Sequence, residues 1–530
     1  MQTSLRLEES TLLTTPRVRA RYLLPLLVVL LVIGFCYRSP WSASNLETVP
    51  DSVEYAVAAQ RFVLTGHYNI VINGVVHPPR YPPWFSVLIL APLYALAPGE
   101  LGIGILAVLG FAVALALLAY LLGYRLAGEW GGCLAAIAVV FSIVFMDAAR
   151  QIMMDIPAAA CGLFACWMFL RIYRQPTRRD YLLAGIAIAL AVGLRNTNAL
   201  LLAPFLCLAV RQRQQALARL ALLLLPVALL TAATLVYNQS AFGDWRRNGY
   251  EYWCAVPYDY LGLTFSPAYI ARNLHDLSAP DILVSLALGA IGIAIFRKER
   301  QAELGPILIF LALAAVPMSL LYLFYFALGQ RFHLIALSLL RVLGAAGLAT
   351  LIPETFQRRV WLLPALVGAL ALLAALGLRT DPEPLRREIA EAMAQALPKN
   401  AVIITAIDPV YLEPTVLRGT QRQVVPSTRG VEYASKLVTP RRVAVLDPPA
   451  RSPKDHRAPG LRRGGAYDAC PYTADEALDR IADWVRAGVP VYLDSSPVSI
   501  GTPAWKQLHH RYYVVADTPY PWLERLTAPR

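Results

Sequence analysis

The chain has 530 residues, of which 57% are hydrophobic and only 16% charged, and its formal net charge at pH 7 is +13. This composition excludes a soluble globular protein and indicates a membrane protein. The positive charge occurs as short arginine clusters between apolar runs, which is typical of membrane topology rather than of nucleic-acid binding. The seven cysteines show neither a disulfide framework nor a metal-binding spacing.

Apolar segments predict a multi-pass α-helical membrane protein with eleven spans. The predicted spans are residues 22–37, 101–124, 130–146, 156–173, 181–194, 199–210, 219–237, 282–296, 305–326, 332–352 and 360–378. Residues 84–97 are a further apolar segment, but as a helix they rise only about 21 Å against a hydrocarbon thickness of about 30 Å.

The arginine distribution decides whether residues 84–97 cross the membrane. If they do not, the amino-terminal arginines, Arg125 and the basic loops at 171–180, 211–219, 296–300 and 353–359 all lie on one side. This positive-inside pattern makes that side cytoplasmic. We therefore expect a cytoplasmic amino terminus, a first outer loop at residues 38–100, and an interfacial helix at 84–97 within it.

Beyond residue 378 the composition becomes that of a water-soluble domain. Strand-like runs occur at 401–408, 441–448, 490–496 and 512–519, and helical periodicity occurs at 385–397 and 473–488. Strands that alternate with helices predict a small α/β domain. We thus predict a transmembrane domain at 1–378 and an extracytoplasmic α/β domain at 379–530.

Two aspartates in outer loops are the first candidates for chemistry. Asp51 precedes a helical run, so it fits either a helix N-cap or a general base that faces an acceptor hydroxyl at the membrane surface. Asp155 precedes Pro157 at the start of a span, and the same N-cap alternative applies to it. Its functional alternative is a second carboxylate that orients the acceptor or helps to hold a divalent cation.

Basic side chains at the outer rim are the second group of candidates. Arginine binds phosphate through a planar fork of donors, although any single arginine here also fits snorkelling towards lipid headgroups. Two histidines fit phosphate binding, proton transfer or metal ligation, or a simple interfacial position. The candidate substrate-binding residues are Arg80, Arg195, Arg331, His77, His333 and Tyr55, and Arg150 lies in a further outer loop. Arg341 would lie within the hydrocarbon unless it faces a polar cavity.

Five motifs resemble the GT-C superfamily of membrane glycosyltransferases, in particular bacterial relatives of protein O-mannosyltransferases and of lipid A aminoarabinose transferase. They are DSVEYAVAAQRFVLTGHY from Asp51, HPPRYPP from His77, ARQIMMDIPAAACGLF around Asp155, GLRNTNALLLAP around Arg195, and FALGQRFHLIAL around Arg331. His77 and Arg80 stand where the family often has an acid or lysine beside proline. Arg195 and Asn196 stand where relatives often have Lys-Gly.

The resemblance implies transfer of a sugar from a polyprenyl-phosphate donor to a glycan, lipid or protein acceptor on the outer face of a bacterial inner membrane. It implies that Asp51 is the catalytic carboxylate, Asp155 the second acid, and Arg331 a phosphate contact. Two other classes of protein remain open from the residues alone. A transporter or flippase of lipid-linked sugars would need polar residues along a path through the bilayer, and a non-catalytic scaffold would only display the carboxy-terminal domain.

Overall fold

The structure is a computed structural model, which describes residues 50–72, 74–98, 101–211, 216–253, 261–299, 301–327, 329–353, 355, 385–426 and 481–530. The predicted spans at 22–37 and 360–378, the predicted strand at 441–448 and the predicted domain boundary at 378/379 lie outside these residues. The described residues form two compact units. We describe each unit by itself.

The first unit is helical and comprises the described residues of Ile105–Ala233 and Pro267–Asp381. Its α-helices are α3 (Ile105–Val140), α4 (Ile143–Ala149), α5 (Asp155–Arg174), α6 (Arg178–Leu194), α7 (Ala203–Arg211), α8 (Ala216–Phe242), which continues into the second unit, α11 (Ile270–Asp276), α12 (Pro280–Glu299), α13 (Gln301–Phe310), α14 (Val316–Leu323) and α15 (Leu334–Thr350). Short 3-10 segments precede α3, α7, α11 and α15 at Leu101–Gly104, Asn196–Leu202, Pro267–Tyr269 and Gln330–His333. A π-helical segment, Leu311–Ala315, joins α13 to α14.

Six helical segments of the described chain are long and apolar enough to cross a membrane. They are Leu101–Val140, Asp155–Arg174, Ala216–Phe242, Pro280–Arg297, Leu304–Leu323 and Gln330–Thr350. The chain is therefore a multi-pass membrane protein, as predicted. The total of eleven spans stays a prediction, because two of the segments are not described and the helices at 178–194 and 196–210 are shorter than the rest.

The longest segment contains a break that separates two of the predicted spans. Ala127 departs from helical geometry, and Gly128 has φ +70°, a left-handed conformation that glycine adopts without a steric cost. Across the break a Cβ on Gly123 would lie 2.4 Å from the carbonyl oxygen of Gly131. The two halves of α3 therefore fold back on each other through small residues.

Arg341 lies inside this helical unit rather than against lipid. Its guanidinium forms an ion pair with Asp281 of α12 and donates hydrogen bonds to the hydroxyl of Ser285 (2.8 Å) and to the carbonyl oxygen of Ala138 (2.6 Å). The other oxygen of the Asp281 carboxylate accepts from Ser142, 2.8 Å away. The charge is thus neutralised and links α3, α12 and α15.

The second unit comprises the described residues of Trp41–Gly104, Thr234–Ser266 and Pro382–Arg530. Its first part contains α1 (Pro50–Thr65), an antiparallel hairpin of β1 (Ile70–Ile72) and β2 (Val75–His77), and the predicted helix at 84–97, observed as a π-helical turn (Phe85–Leu90) followed by α2 (Ala91–Leu96). Short helices α9 (Gly249–Trp253) and α10 (Leu261–Thr264) complete this part.

The carboxy-terminal part of the second unit is a five-stranded mixed sheet with helices. Its elements are α16 (Leu385–Ala396), β3 (Val402–Thr405), α17 (Pro409–Leu412) with a π-helical continuation (Glu413–Leu417), β4 (Gln423–Pro426), β5 (Val491–Asp494), α18 (Pro503–Arg511), β6 (Tyr512–Val515) and β7 (Leu523–Pro529). The strand order is β4-β3-β5-β7-β6, with β4, β3 and β5 parallel and β7 antiparallel to its two neighbours.

Alternation along β3 builds a core on each face of this sheet. Ile403 packs into a cluster with Met393 of α16, whereas Val402 and Ile404 pack into a cluster with Leu508 of α18. Residues two apart in a strand point to the same face, so the apolar run predicted at 401–408 fills both cores. This explains why the strand reads as continuously apolar.

Candidate functional site

Helix α1 places two carboxylates on one face. Asp51 lies in its first turn and is 8% exposed, while Glu54, one turn later, is 1% exposed. Residues three and four apart on a helix are neighbours, so Tyr55 lies on this face as well. We name Asp51, Glu54, Tyr55, Arg80 and Tyr81 the Asp51 cluster.

The proline-rich segment after β2 is fixed to this face through both acids. The Tyr81 hydroxyl donates a hydrogen bond to Oδ1 of Asp51, and the backbone N–H of Arg80 donates to Oε1 of Glu54. The Tyr81 ring lies 4.4 Å from the ring of Tyr55, and the Arg80 guanidinium lies 5.9 Å from the Tyr81 ring. A carboxylate, a phenol and a guanidinium are therefore held close together.

Helix α9 packs closely on the same segment. A Cβ at Gly249 would lie 2.3 Å from the carbonyl oxygen of Arg80, so this position accepts only glycine without a shift of the backbone. The next residue, Tyr250, places its ring 5.5 Å from that of Tyr81. The aromatic contact covers the phenol that bonds to Asp51.

His77, predicted to bind substrate, lies buried at the end of β2. Its Nδ1 is 3.4 Å from the hydroxyl of Tyr252, and its ring is 5.3 Å from that of Trp253. The indole N–H of Trp253 donates to the carbonyl oxygen of Pro78 at 2.9 Å. His77 is thus packed among aromatic side chains that also hold the proline-rich segment.

Burial changes the protonation of Glu54. Desolvation raises the pKa of this carboxyl from 4.5 to about 7, and the positive charge of Arg80 opposes the shift. Negative charge on Asp408 and Asp51 raises this pKa further. A carboxyl with a pKa near 7 exchanges a proton readily at neutral pH.

The other predicted acid lies in the helical unit with two of the predicted arginines. The helix α5 begins at Asp155, and its N-cap residue is Met154, so Asp155 does not cap the helix. Instead Nη2 of Arg195 donates to Oδ1 of Asp155, and Nε of Arg331 lies 4.0 Å from Oδ2. We name Asp155, Arg195, Arg331 and Phe332 the Asp155 cluster.

An aromatic floor supports both arginines of the Asp155 cluster. The Arg195 guanidinium lies 4.7 Å from the ring centroid of Phe332, and that of Arg331 lies 5.7 Å from it. Phe332 in turn stacks on Tyr322 with ring centroids 4.6 Å apart. Two cations over one ring and beside one carboxylate leave this cluster with a net positive charge, which suits an anionic group.

The Asp155 cluster encloses only about 10 Å³ of free space, about the least that can hold one water. Arg331 also donates to the sulfur of Met153 at 3.0 Å. His333, another predicted contact, is buried with its ring 6.1 Å from that of Tyr322. A ligand phosphate would therefore reach Arg331 at its more exposed side, since 30% of that side chain remains accessible.

A divalent cation at Asp155 is the one cofactor that the sequence suggests. Within the described residues, no group of three or more His, Cys, Asp or Glu side chains could hold a metal ion. The charged groups next to Asp155 are arginines rather than further acids. The cation contact considered for Asp155 stays a prediction.

Glu54 and Tyr81 are site residues that the sequence did not suggest. Glu54 follows Asp51 at a spacing of three, which places two acids on one helix face once a helix is assumed. Tyr81 directly follows Arg80, a predicted contact. Only the three-dimensional approach of two segments thirty residues apart pairs Tyr81 with Asp51.

Comparisons with known proteins agree with this architecture. Residues 77–237 match the family described as dolichyl-phosphate-mannose-protein mannosyltransferase. The fold is similar to that of ArnT from Cupriavidus metallidurans bound to undecaprenyl phosphate, with a TM-score of 0.58, 13% identity, and coverage of 96% of this chain and 98% of that one. ArnT in the apo state gives the same values.

The fold is also similar to the oligosaccharyltransferase of Archaeoglobus fulgidus tethered with an acceptor peptide. That comparison has a TM-score of 0.51 and 13% identity, and covers 96% of this chain and 74% of that one. A comparison with curated protein sequences gives no match.

The match of residues 77–237 and the similarity of fold together support the resemblance to the GT-C superfamily of membrane glycosyltransferases. The match to the mannosyltransferase family covers 161 of the 530 residues. The resemblance predicted from the motifs is therefore confirmed.

Proposed function

We propose that the chain transfers a sugar from a polyprenyl-phosphate donor to a hydroxyl of a glycan, lipid or protein acceptor. The observation that carries this proposal is the Asp51 cluster, in which Tyr81 orients a buried carboxylate beside the cationic Arg80. The sequence signature of a mannosyltransferase family supports the class of reaction. A relative of similar fold binds undecaprenyl phosphate, which supports the class of donor.

In the proposed reaction Asp51 is the general base. It accepts the proton of the acceptor hydroxyl while that oxygen bonds to the anomeric carbon of the donor sugar. The bond from this carbon to the phosphate oxygen breaks, and the polyprenyl phosphate leaves with the electron pair. A phosphate is already a good leaving group, so it needs stabilisation of charge more than protonation.

The arginines supply that stabilisation in the proposal. The departing phosphate gains negative charge, so a guanidinium that binds it lowers the energy of the transition state more than that of the ground state. Arg331 is our candidate because it is held at Asp155 and Met153 while part of its side chain stays exposed. Arg80 is a further candidate because of its place in the Asp51 cluster, and Arg195 supports the cluster around Asp155.

The location of the reaction is also part of the proposal. The arginine-rich loops favour a cytoplasmic amino terminus, so the first outer loop and residues 379–530 lie on the extracytoplasmic side of a bacterial inner membrane. In this arrangement residues 1–378 form the transferase domain. Residues 379–530 form an extracytoplasmic α/β domain.

The alternative of a transporter has less support. A transport path needs polar or ionisable groups near mid-membrane. Arg341 was the main mid-span charge in the sequence, and its guanidinium is bound by Asp281, Ser285 and Ala138. These contacts give Arg341 a structural role.

The test uses the full chain purified as Asp51→Asn, which keeps the size of the side chain and its ability to accept from Tyr81. We expect undecaprenyl phosphate to bind as in the wild type and sugar transfer to be lost. Asp244→Asn, a change at an exposed turn aspartate, is the matched control. Sugar transfer by Asp51→Asn at the wild-type rate would show that Asp51 is not the general base.

A further inference from the structure

A cavity of about 270 Å³ lies in the second unit beside the carboxy-terminal half of α1. Its walls include Val57, Arg61 and Leu64 of α1. The other side chains named here are Glu413 and Pro414 of the π-helical segment after α17, and Arg418, which directly follows that segment. Sites for drug-sized ligands span about 300–1,000 Å³, so this cavity suits a single ring or a head group rather than a long chain.

The acid in this cavity has one carboxylate oxygen without a hydrogen-bond partner among the described residues. Glu413 is 8% exposed, and its Oε2 accepts no hydrogen bond from the described residues. Burial raises the pKa of this carboxyl, while the positive charges of Arg418 and Arg61 oppose the shift. A buried acceptor without a donor is costly, so a ligand that donates a hydrogen bond here is stabilised.

The two arginines supply the complementary donors. Nε of Arg61 donates to Oδ1 of Asn69 at 2.7 Å, which fixes the guanidinium at the wall of the cavity. Arg418 also lines the cavity and is exposed. Guanidinium groups only donate, and a carboxylate only accepts, so the matching ligand carries groups that do both.

These features select a class of ligand. A hydroxyl both donates and accepts, and the apolar surfaces of Val57, Leu64 and Pro414 suit the C–H faces of a ring. An anion would gain from the two arginines but would meet the buried carboxylate of Glu413 at short range. A neutral ring with several hydroxyls satisfies all three charged side chains.

We propose that this cavity binds a pyranose ring of the acceptor, away from the hydroxyl that reacts. The proposal rests on the function proposed above, because it treats Asp51 as the place of reaction. Arg61 follows Asp51 by ten residues on one helix, a rise of about 15 Å at 1.5 Å per residue. The acceptor therefore extends along α1 and carries at least one sugar besides the group that is glycosylated.

The test measures binding of methyl pyranosides to the full-length protein in detergent by saturation-transfer NMR. In the wild type we expect methyl α-D-mannopyranoside or another methyl hexopyranoside to give a saturation-transfer signal. Glu413→Gln should weaken this binding about tenfold, as loss of a hydrogen bond to a charged group predicts. Arg418→Ala, at an exposed position, should weaken it as well.

Glu391→Gln is the matched control, because this glutamate is 50% exposed and pairs with Arg387 on the surface of α16. It should leave methyl pyranoside binding unchanged. Undecaprenyl phosphate binding is measured on every variant and should stay at the wild-type level. Pyranoside binding without lipid binding would support the cavity while contradicting the proposed donor.

Three outcomes overturn the proposal. The first is that no methyl hexopyranoside gives a saturation-transfer signal with the wild-type protein. The second is that Glu413→Gln and Arg418→Ala bind the pyranoside as the control does. The third is that inorganic phosphate occupies the cavity and displaces the pyranoside, since this would define an anion site.

Discussion

Nη2 of Arg341 lies 2.6 Å from Oδ1 of Asp281, and both side chains are almost fully buried among membrane helices. A charge at this depth is tolerated because its partner and three further polar contacts replace the lost hydration. The pair joins residues sixty positions apart in the chain.

This ion pair predicts an asymmetry between single and double variants. Asp281→Ala leaves Arg341 buried without its partner and should lower the free energy of unfolding by about 3–5 kcal/mol. The double change Arg341→Met with Asp281→Ala removes both charges and should recover most of that loss. Thermal unfolding in one detergent measures the stability of the single and of the double variant. Equal losses of stability in the two variants would contradict the role of the pair.

The contact between Tyr81 and Asp51 predicts a defect in catalysis without a defect in donor binding. Tyr81→Phe removes one hydrogen bond to a charged group, and such bonds contribute about 1.5–3 kcal/mol. We expect sugar transfer to fall by about tenfold or more while undecaprenyl phosphate binding is kept. Tyr513→Phe, at an exposed tyrosine, is the control. An unchanged rate in Tyr81→Phe would show that the phenol does not orient the base.

Arg331 predicts a dependence on the shape of the cation. Arg331→Ala should lower the rate of transfer by about a hundredfold, as loss of one donor to a developing anion typically does. Arg331→Lys keeps the charge but loses the planar fork, so we expect it to remain impaired. Arg525→Ala, at a surface ion pair with Asp517, is the control. Wild-type rates in both Arg331 variants would leave this arginine with a role at the lipid surface only.

Glu54 predicts that stability falls as pH rises. Its pKa is raised from 4.5 to about 7 in the folded protein, so between these values the folded state holds a proton that the unfolded state has released. The stabilisation is complete below about pH 4.5 and is lost by about pH 7, with a size on the order of 3 kcal/mol.

The check is thermal unfolding of the wild type and of Glu54→Gln between pH 5 and 8. The amide mimics the protonated acid, so the variant should lose this part of the pH dependence. An equal dependence in both proteins would assign it to other groups.

The arginine pattern predicts the side of each loop. Single cysteines at Gln175 and Gln301 should be protected from a membrane-impermeant thiol reagent in intact cells, and those at Asn248 and Pro459 should be labelled. The measurement needs a background without the native cysteines. Labelling at Gln175 would reverse the orientation and contradict the location proposed for the reaction.

The predictable parts of the fold are those that a local pattern determines. Apolar length predicts the spans at Asp155–Arg174 and Pro280–Arg297, because a membrane helix must be apolar over most of its length. The break in α3 falls between the predicted spans 101–124 and 130–146, where Gly128 lies. The sheet was only partly predictable, because its strand order depends on contacts between distant segments.

In the Asp51 and Asp155 clusters too, the sequence predicts some residues, whereas only the fold shows which of them are partners. The sequence places Asp155, Arg195 and Arg331 in three separate predicted outer loops, and the structure brings them together. The partner of Arg341 could not be identified from the sequence, because several acids in other loops were equally available. The sequence does not single out Glu54, because a glutamate inside a helix usually faces solvent, and only the fold shows that this one is buried.

The approach of Gly249 to the carbonyl oxygen of Arg80 restricts how this protein can diverge. Any residue with a Cβ there displaces the segment that carries Tyr81, so lineages that keep the Tyr81–Asp51 hydrogen bond should keep glycine at this position. At 13% identity an alignment along the whole chain carries little information. An aspartate that opens a helix, a tyrosine in a proline-rich segment and a distant glycine then form a three-point signature for recognising remote members that share this arrangement.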